Sequence, residues 1–161
     1  MKKNYTKLGV NIDHIATLRN ARNDGYLDII KIVRLLKKYG VDSITVHLRE
    51  DRRHIKDADV FILKEKNILP LNLEMGPTIE MRDICLKLKP FACCIVPENR
   101  EELTTEGGLD VIKKFDSLKQ IIEPIKSTNT RISLFIEPSI EQIKAAQNLG
   151  ASAIEIHTGK F

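Results

Sequence analysis

The residues best suited to chemistry recur along the chain, each time at the end of a short β-branched run: Asn11-Ile-Asp13-His14, His47-Leu-Arg49, Asn72-Leu-Glu74, Glu137 and Glu155-Ile-His157. Side chains two apart on a strand share a face. Asn11 with Asp13, His47 with Arg49, Asn72 with Glu74, and Glu155 with His157 would therefore converge if that face points inward. An imidazole beside a permanent cation suits proton transfer next to a bound anion, although His47-Leu-Arg49 also reads as a surface turn. Glu74 follows a core strand, so it either emerges into solvent or is desolvated, which would raise its pKa toward acid/base use.

Anion capture has its own candidates. The loop His47-Leu-Arg-Glu-Asp-Arg-Arg-His54 holds three Arg and two His, and guanidinium forks fit phosphate oxygens; the same run would also serve as a solvated face. Arg19 and Arg22 lie just past the first strand and could add a second contact. The turn Leu103-Thr-Thr-Glu-Gly-Gly-Leu109 offers hydroxyls, backbone N–H groups and a following helix N-terminus, an unspecific oxyanion cradle. Asp13, His14, His47, Glu74 and His157 are possible metal ligands, but no H-x-H or H-E-x-x-H spacing occurs and the neighbouring Arg would oppose a divalent cation. There is no G-x-S-x-G either, which argues against a Ser–His–Asp nucleophile.

Elements that would position these groups are legible in the hydrophobic period. Candidate strands cover residues 7–12, 43–48, 69–73, 92–96, 131–136 and 153–157, nearly apolar on both faces as in a covered parallel sheet. Five helical segments alternate with them, at 26–39, 58–66, 79–88, 109–125 and 139–149; the last opens on Ser139-x-x-Gln142 and ends at Gly150. This is an α/β pattern. The run Gly40-Val-Asp-Ser-Ile-Thr-Val-His47 is echoed by Gly150-Ala-Ser-Ala-Ile-Glu-Ile-His157, which suits the half-barrel symmetry of a (β/α)₈ TIM barrel, though any Gly-capped helix feeding a buried strand looks similar. A doubly wound sheet would want G-x-G-x-x-G after its first strand, and none is there.

Composition bounds the rest. With 161 residues, 42% apolar, 30% charged and 5% aromatic, the expectation is one soluble globular domain. No apolar run approaches the roughly 18 residues of a membrane span and no signal-peptide core follows the basic start, so a cytoplasmic address is expected. Three Cys without C-x-x-C read as reduced core thiols. A net charge of +4 with scattered Lys pairs supports a nucleic-acid surface only weakly, and a small anion at least as well. A (β/α)₈ barrel usually takes about 250 residues. Six strands do not close one, so two further βα units are expected, with this chain an N-terminal portion of about six strands and five helices.

Several blocks are similar to those of the pyridoxine 5′-phosphate synthase (PdxJ) family, in the family's order: Gly9-Val-Asn-Ile-Asp-His-Ile-Ala-Thr-Leu-Arg-Asn-Ala-Arg22, Thr45-Val-His-Leu-Arg-Glu-Asp-Arg-Arg-His54, Asn72-Leu-Glu-Met75, Val96-Pro-Glu98, Thr104-Thr-Glu-Gly-Gly-Leu-Asp110, Ser133-Leu-Phe-Ile136 and Ile154-Glu-Ile-His-Thr-Gly159. The resemblance implies a TIM barrel in a homo-octamer. It also implies condensation of 3-amino-2-oxopropyl phosphate with 1-deoxy-D-xylulose 5-phosphate to pyridoxine 5′-phosphate, phosphate and water, with no organic cofactor or catalytic metal. By similarity His47 and Glu74 are acid/base residues and Glu155 a transition-state stabiliser. Asn11 and Arg22 bind the amino ketone phosphate; Asp13, His14, Arg49, His54 and Thr104 bind the pentulose phosphate. The family's third catalytic His and a Gly-rich phosphate-binding region lie on later strands, past Phe161. Rival expectations are another barrel enzyme of phosphorylated metabolites, an epimerase or an aldolase-like lyase, and a non-enzymatic RNA-binding module using the Arg-rich loop. The lyase lacks a strand-end Lys for a Schiff base.

Overall fold

The structure, a computed structural model, describes residues 5–22, 27–98 and 107–159. Its elements in chain order are β1 (Gly9–Asn11), α1 (Asp13–Arg22), α2 (Ile29–Lys38), β2 (Ser43–His47), α3 (Asp57–Lys66), β3 (Leu71–Met75), α4 (Ile79–Leu88), β4 (Ala92–Ile95), α5 (Phe115–Lys126), β5 (Arg131–Ile136), α6 (Ile140–Asn148) and β6 (Ala153–Ile156). The six strands form one parallel sheet in the order β1-β2-β3-β4-β5-β6. Crossovers between neighbouring parallel strands are right-handed as a rule, which places their helices on one side of the sheet. That excludes the doubly wound sheet, whose order reverses at a switch point, and makes this a partial (β/α)₈ barrel.

Local chemistry sets the helix ends. Asp28 Oδ1 accepts from the Ile30 N–H at 2.8 Å, while Thr78 and Ser139 each accept from the third residue onward at 3.4 Å, relieving orphan donors of the first turn. Gly40 and Gly150, the two echoed positions, turn the chain out of α2 and α6 with φ of 84° and 79°, a left-handed backbone that costs a residue with a Cβ. Gln142 does not reciprocate Ser139 as a capping box would. Its carbonyl instead accepts the Val111 N–H at 2.8 Å, tying α6 to the segment ahead of α5.

The strands alternate, which corrects the expectation of apolar residues on both faces. Ile44, Val46, Leu71, Leu73, Cys93, Ile95, Ile132 and Leu134 are buried against Val33, Val60, Leu63, Met81, Leu118, Ile122 and Ala146; this is the core between sheet and helices. The opposite, inner face carries Ser43, Thr45, His47, Asn72, Glu74, Cys94, Ser133 and Glu155, in a register that sets Thr45 beside Asn72 and His47 beside Glu74. These polar groups bond one another, as with Asn72 Nδ2 donating to Thr45 Oγ1 at 3.3 Å. The inner face can be polar because it lines a cavity instead of packing on helices. All three cysteines are free and buried, Cys85 and Cys93 in the core as expected and Cys94 on the inner face; a hydrogen bond with Cys85 and burial push the Cys93 thiol up, and burial and the Glu155 carboxylate push Cys94 up.

Two further corrections concern helices. There are six among the described residues, not five: α1 begins two residues past the tip of β1, and with only Asp13 and Ala16 buried it lacks the continuous apolar stripe that betrays a helix. The helix expected over 109–125 starts at Phe115. Leu109 instead bridges to Ile136 in parallel fashion, and Gly108 lies so close to the Ile136–Glu137 backbone that a Cβ there would stand 2.4 Å from it.

Candidate active site

The carboxyl ends of the strands gather most of the expected residues. Asp13 opens α1, where a carboxylate meets the positive end of the helix dipole. It is 7% exposed; Oδ1 accepts the His47 N–H at 2.9 Å and Oδ2 accepts Asn11 Nδ2 at 2.9 Å. Asn11 returns the contact by accepting the Asp13 N–H at 2.8 Å. The two thus meet across a strand-to-helix turn, not by strand alternation, and together fix the end of β2 that presents His47.

Glu74 sits beside His47 in register. Burial pushes its carboxyl up to about 7, with the His47 imidazole pulling the other way and the Glu155 and Asp13 carboxylates adding to the rise. Those named influences place four expected residues within electrostatic reach of one another. Glu155 is steadied by Ser133, whose Oγ donates to Oε1 at 3.3 Å. A carboxyl poised near neutrality next to an imidazole and two further carboxylates is an arrangement for moving protons.

One residue of this cluster entered the sequence reading only within the block Val96-Pro-Glu98, with no role given to it. Glu98, just past β4, has a side chain 5% exposed and brings Oε2 to 3.8 Å from His47 Nε2; its Oε1 accepts the Glu50 N–H at 2.6 Å. Strand alternation does not reach it across Pro97. The available signal was Gly76 at the end of β3: a Cβ there would stand 2.4 Å from Glu98 Oε2, so the missing side chain is the space the carboxylate occupies. His47 Nε2, Arg49 Nε, Asn72 Oδ1 and Glu98 Oε2 are all buried without hydrogen-bond partners. A buried polar atom without a hydrogen bond costs about 1–3 kcal/mol; here His47 Nε2 faces Glu98 Oε2 at 3.8 Å and Arg49 Nε faces Asp51 Oδ1 at 3.5 Å, ion pairs not closed to hydrogen-bond length.

The loop after β2 divides its arginines. Arg52, with φ of 52°, donates to the carbonyls of Arg49 and Glu50 at 3.3 and 2.9 Å and pairs with Asp57 and Glu80. It staples the loop to α3 and α4; these carboxylates raise its pKa, with burial opposing. Arg53 pairs with Asp51. Arg49 Nε stands 3.5 Å from Asp51 Oδ1, an ion pair without a hydrogen bond, so the loop is no open polybasic surface. His54 points to α1, its Nδ1 2.7 Å from Thr17 Oγ1, and its ring centroid lies 6.0 Å from that of exposed His14. Arg19 is engaged with Asp59 through contacts of 2.6 and 2.8 Å. Arg22 lies at the far end of α1, nine residues and about 13 Å along the axis from Asp13, apart from the cluster. Thr104 lies outside the described residues, as does most of the expected oxyanion turn. His157 is held by Glu137, Nδ1 to Oε1 at 2.9 Å, and the same oxygen accepts the Gly108 N–H at 2.9 Å.

A cavity of about 370 Å³ opens on the inner face, bordered by Thr45, Asn72, Ser133 and Glu155. A larger one, about 750 Å³, lies next to it at the amino ends of the strands, among Lys64, Lys89, Phe91 and Thr130, and Phe91 lines both. Of the titratable cluster only Glu155 borders the inner cavity; His47 and Glu74 stand at the carboxyl ends of their strands, where barrels of this kind hold their sites. No group of three or more His, Cys, Asp or Glu among the described residues is arranged to hold a metal ion, and no helix there is long and apolar enough to cross a membrane.

Comparison with known proteins agrees with this geometry. Residues 8–161 match the family model described as Pyridoxal phosphate biosynthesis protein PdxJ. The chain is 56% identical over 154 residues to the pyridoxine 5′-phosphate synthase of Ehrlichia chaffeensis, covering 96% of this chain and 64% of that protein. It is 52% identical over 155 residues to that of Thioalkalivibrio sulfidiphilus, covering 96% and 63%, and 51% identical over 155 residues to that of Aquifex pyrophilus, covering 96% and 66%. The chain therefore spans just under two thirds of the length of these curated relatives. With its parallel strand order, its cluster at the strand ends and the match along nearly its whole length, the chain belongs to the PdxJ family of pyridoxal phosphate biosynthesis proteins.

Proposed function

We propose that the protein to which this chain belongs is a pyridoxine 5′-phosphate synthase, condensing 3-amino-2-oxopropyl phosphate with 1-deoxy-D-xylulose 5-phosphate to give pyridoxine 5′-phosphate, phosphate and water. The observation that carries this reading is the juxtaposition of His47 and Glu74, in register on adjacent strands with Asp13 and Glu155 in electrostatic reach. Joining an amine to a ketone and then losing water and phosphate needs repeated proton transfers, two anion contacts and a site that excludes water. His47 and Glu74 shuttle protons around the imine and enamine stages, and Glu155 stabilises developing positive charge. Asn11 and Arg22 contact the amino ketone phosphate. Asp13, His14, Arg49, His54 and Thr104 contact the pentulose phosphate, Arg49 through a guanidinium whose Nε makes no hydrogen bond of its own. The reading further takes the chain as part of one barrel domain in a cytoplasmic homo-octamer that uses no cofactor and binds neither nucleic acid nor membrane.

The test is direct. Full-length enzyme given both substrates should release pyridoxine 5′-phosphate and inorganic phosphate in equal amounts, and His47→Ala should lower turnover far more than substrate affinity. Release of phosphate without the pyridine product, or equal losses of turnover and affinity, would contradict the assignment.

A further inference from the structure

We infer that Glu98 is a positioning residue for the acid/base pair, its carboxylate holding the His47 imidazole in the tautomer that carries hydrogen on Nε2. The inference rests on the reading of His47 just proposed and adds a residue to it. Glu98 and His47 face each other with side chains 5% and 14% exposed and Nε2 3.8 Å from Oε2; neither atom has another hydrogen-bond partner. The carboxylate is anchored, since Oε1 accepts the Glu50 N–H and the absent side chain of Gly76 leaves it room. It is also ionised. Burial pushes Glu98 up, but the His47 imidazole, the Glu50 N–H and Arg49 together outweigh burial and hold it below the usual carboxylate range.

An ionised carboxylate only accepts hydrogen bonds. Facing Nε2, it favours a hydrogen there and leaves Nδ1 as the nitrogen with the free lone pair, so the base atom of His47 is selected by a residue on the neighbouring loop. At 3.8 Å the pair is within ion-pair range and longer than a hydrogen bond, and catalytic contacts of this kind tighten in the complex with substrate. The imidazole then works between two carboxyls of opposite habit, Glu74 poised near neutrality and Glu98 ionised, the pattern by which neighbouring acids take different roles.

Three variants of the full-length enzyme test this: Glu98→Gln, which keeps shape and removes charge; Glu98→Asp, which keeps charge; and Gly76→Ala, whose methyl would stand 2.4 Å from Oε2 and displace it. Ring ¹⁵N shifts of His47, assigned by difference with His47→Ala, should show Nε2–H in the wild type and in Glu98→Asp. The other two should show a shift toward Nδ1–H. Turnover of Glu98→Gln and Gly76→Ala should fall about 10- to 100-fold with KM for both substrates nearly unchanged, and Glu98→Asp should recover part of it. Wild-type turnover in a folded Glu98→Gln, or reduced turnover with an unchanged tautomer, overturns the inference. A wild-type enzyme with no condensation activity overturns the proposed function instead, while the tautomer measurement still decides whether Glu98 sets the proton.

Discussion

Replacing Glu74 by Gln should make stability respond to pH in a way that can be worked out beforehand. Burial raises the carboxyl from an ordinary 4.5 to about 7, and at about 1.4 kcal/mol per tenfold change in proton affinity that amounts to roughly 3 kcal/mol. The sign follows from the direction. The fold accommodates the protonated form, so this contribution is whole below pH 4.5 and is lost as pH rises through about 7. Glutamine copies the neutral carboxyl in shape and cannot ionise. The variant should therefore gain on the wild type as the medium turns alkaline, by about 1–3 kcal/mol between pH 5 and pH 8.5, the lower end applying if water enters the site. Urea unfolding of both full-length proteins at the two pH values, at one protein concentration, measures it. Parallel behaviour would show that Glu74 is not desolvated, and a gain at the acid end would invert the assignment. The same variant should lose at least about 100-fold in turnover, because the group that is costly to ionise is the one that carries the proton.

Two other substitutions probe the framework around the site. Arg52→Ala removes the staple from the β2–α3 loop to Asp57 and Glu80; after allowance for solvent screening the loss should be about 1 kcal/mol in stability, with KM for a phosphorylated substrate rising several-fold as Arg49 and His54 lose their platform. Unchanged KM would show that the staple does not serve binding. Thr17 Oγ1 lies 2.7 Å from His54 Nδ1 and 3.1 Å from the Asp13 carbonyl, so it orients the His54 ring through Nδ1. Thr17→Val should weaken binding of the substrate that His54 contacts by about 3- to 10-fold, one hydrogen bond's worth, and Thr17→Ser should restore it; equal KM in all three proteins would remove His54 from the binding site.

How much of this was legible beforehand depended on what the sequence pattern encodes. Strands and most helices follow from hydrophobic period, and the αL glycines Gly40 and Gly150 from the need to stop a helix ahead of a strand. Helix α1 was hidden because it is half solvated and buries too few apolar side chains to show a period. The inner-face polarity of Thr45, Asn72 and Ser133 was masked because each alternates with a large aliphatic residue and so reads as part of an apolar run. Residues at strand tips, His47, Glu74 and Glu155, were found because alternation places them. Glu98 was given no role, since it lies past the end of β4 beyond Pro97 and its place depends on the space left by Gly76, a residue distant in sequence. The difference between Arg49 and Arg52 was equally invisible: both lie in one charged run, and only the arrival of Asp57 and Glu80 from separate helices shows that Arg52 is the structural one.

The central claim is that His47 and Glu74 work on one reacting centre. The most direct measurement is turnover of full-length wild type, His47→Ala, Glu74→Gln and the double variant, each with both substrates saturating. If the two groups act as a unit, the double variant should turn over about as slowly as the slower single one. Losses that multiply, or a double variant in which only substrate affinity has changed, would mean that the two side chains serve separate tasks.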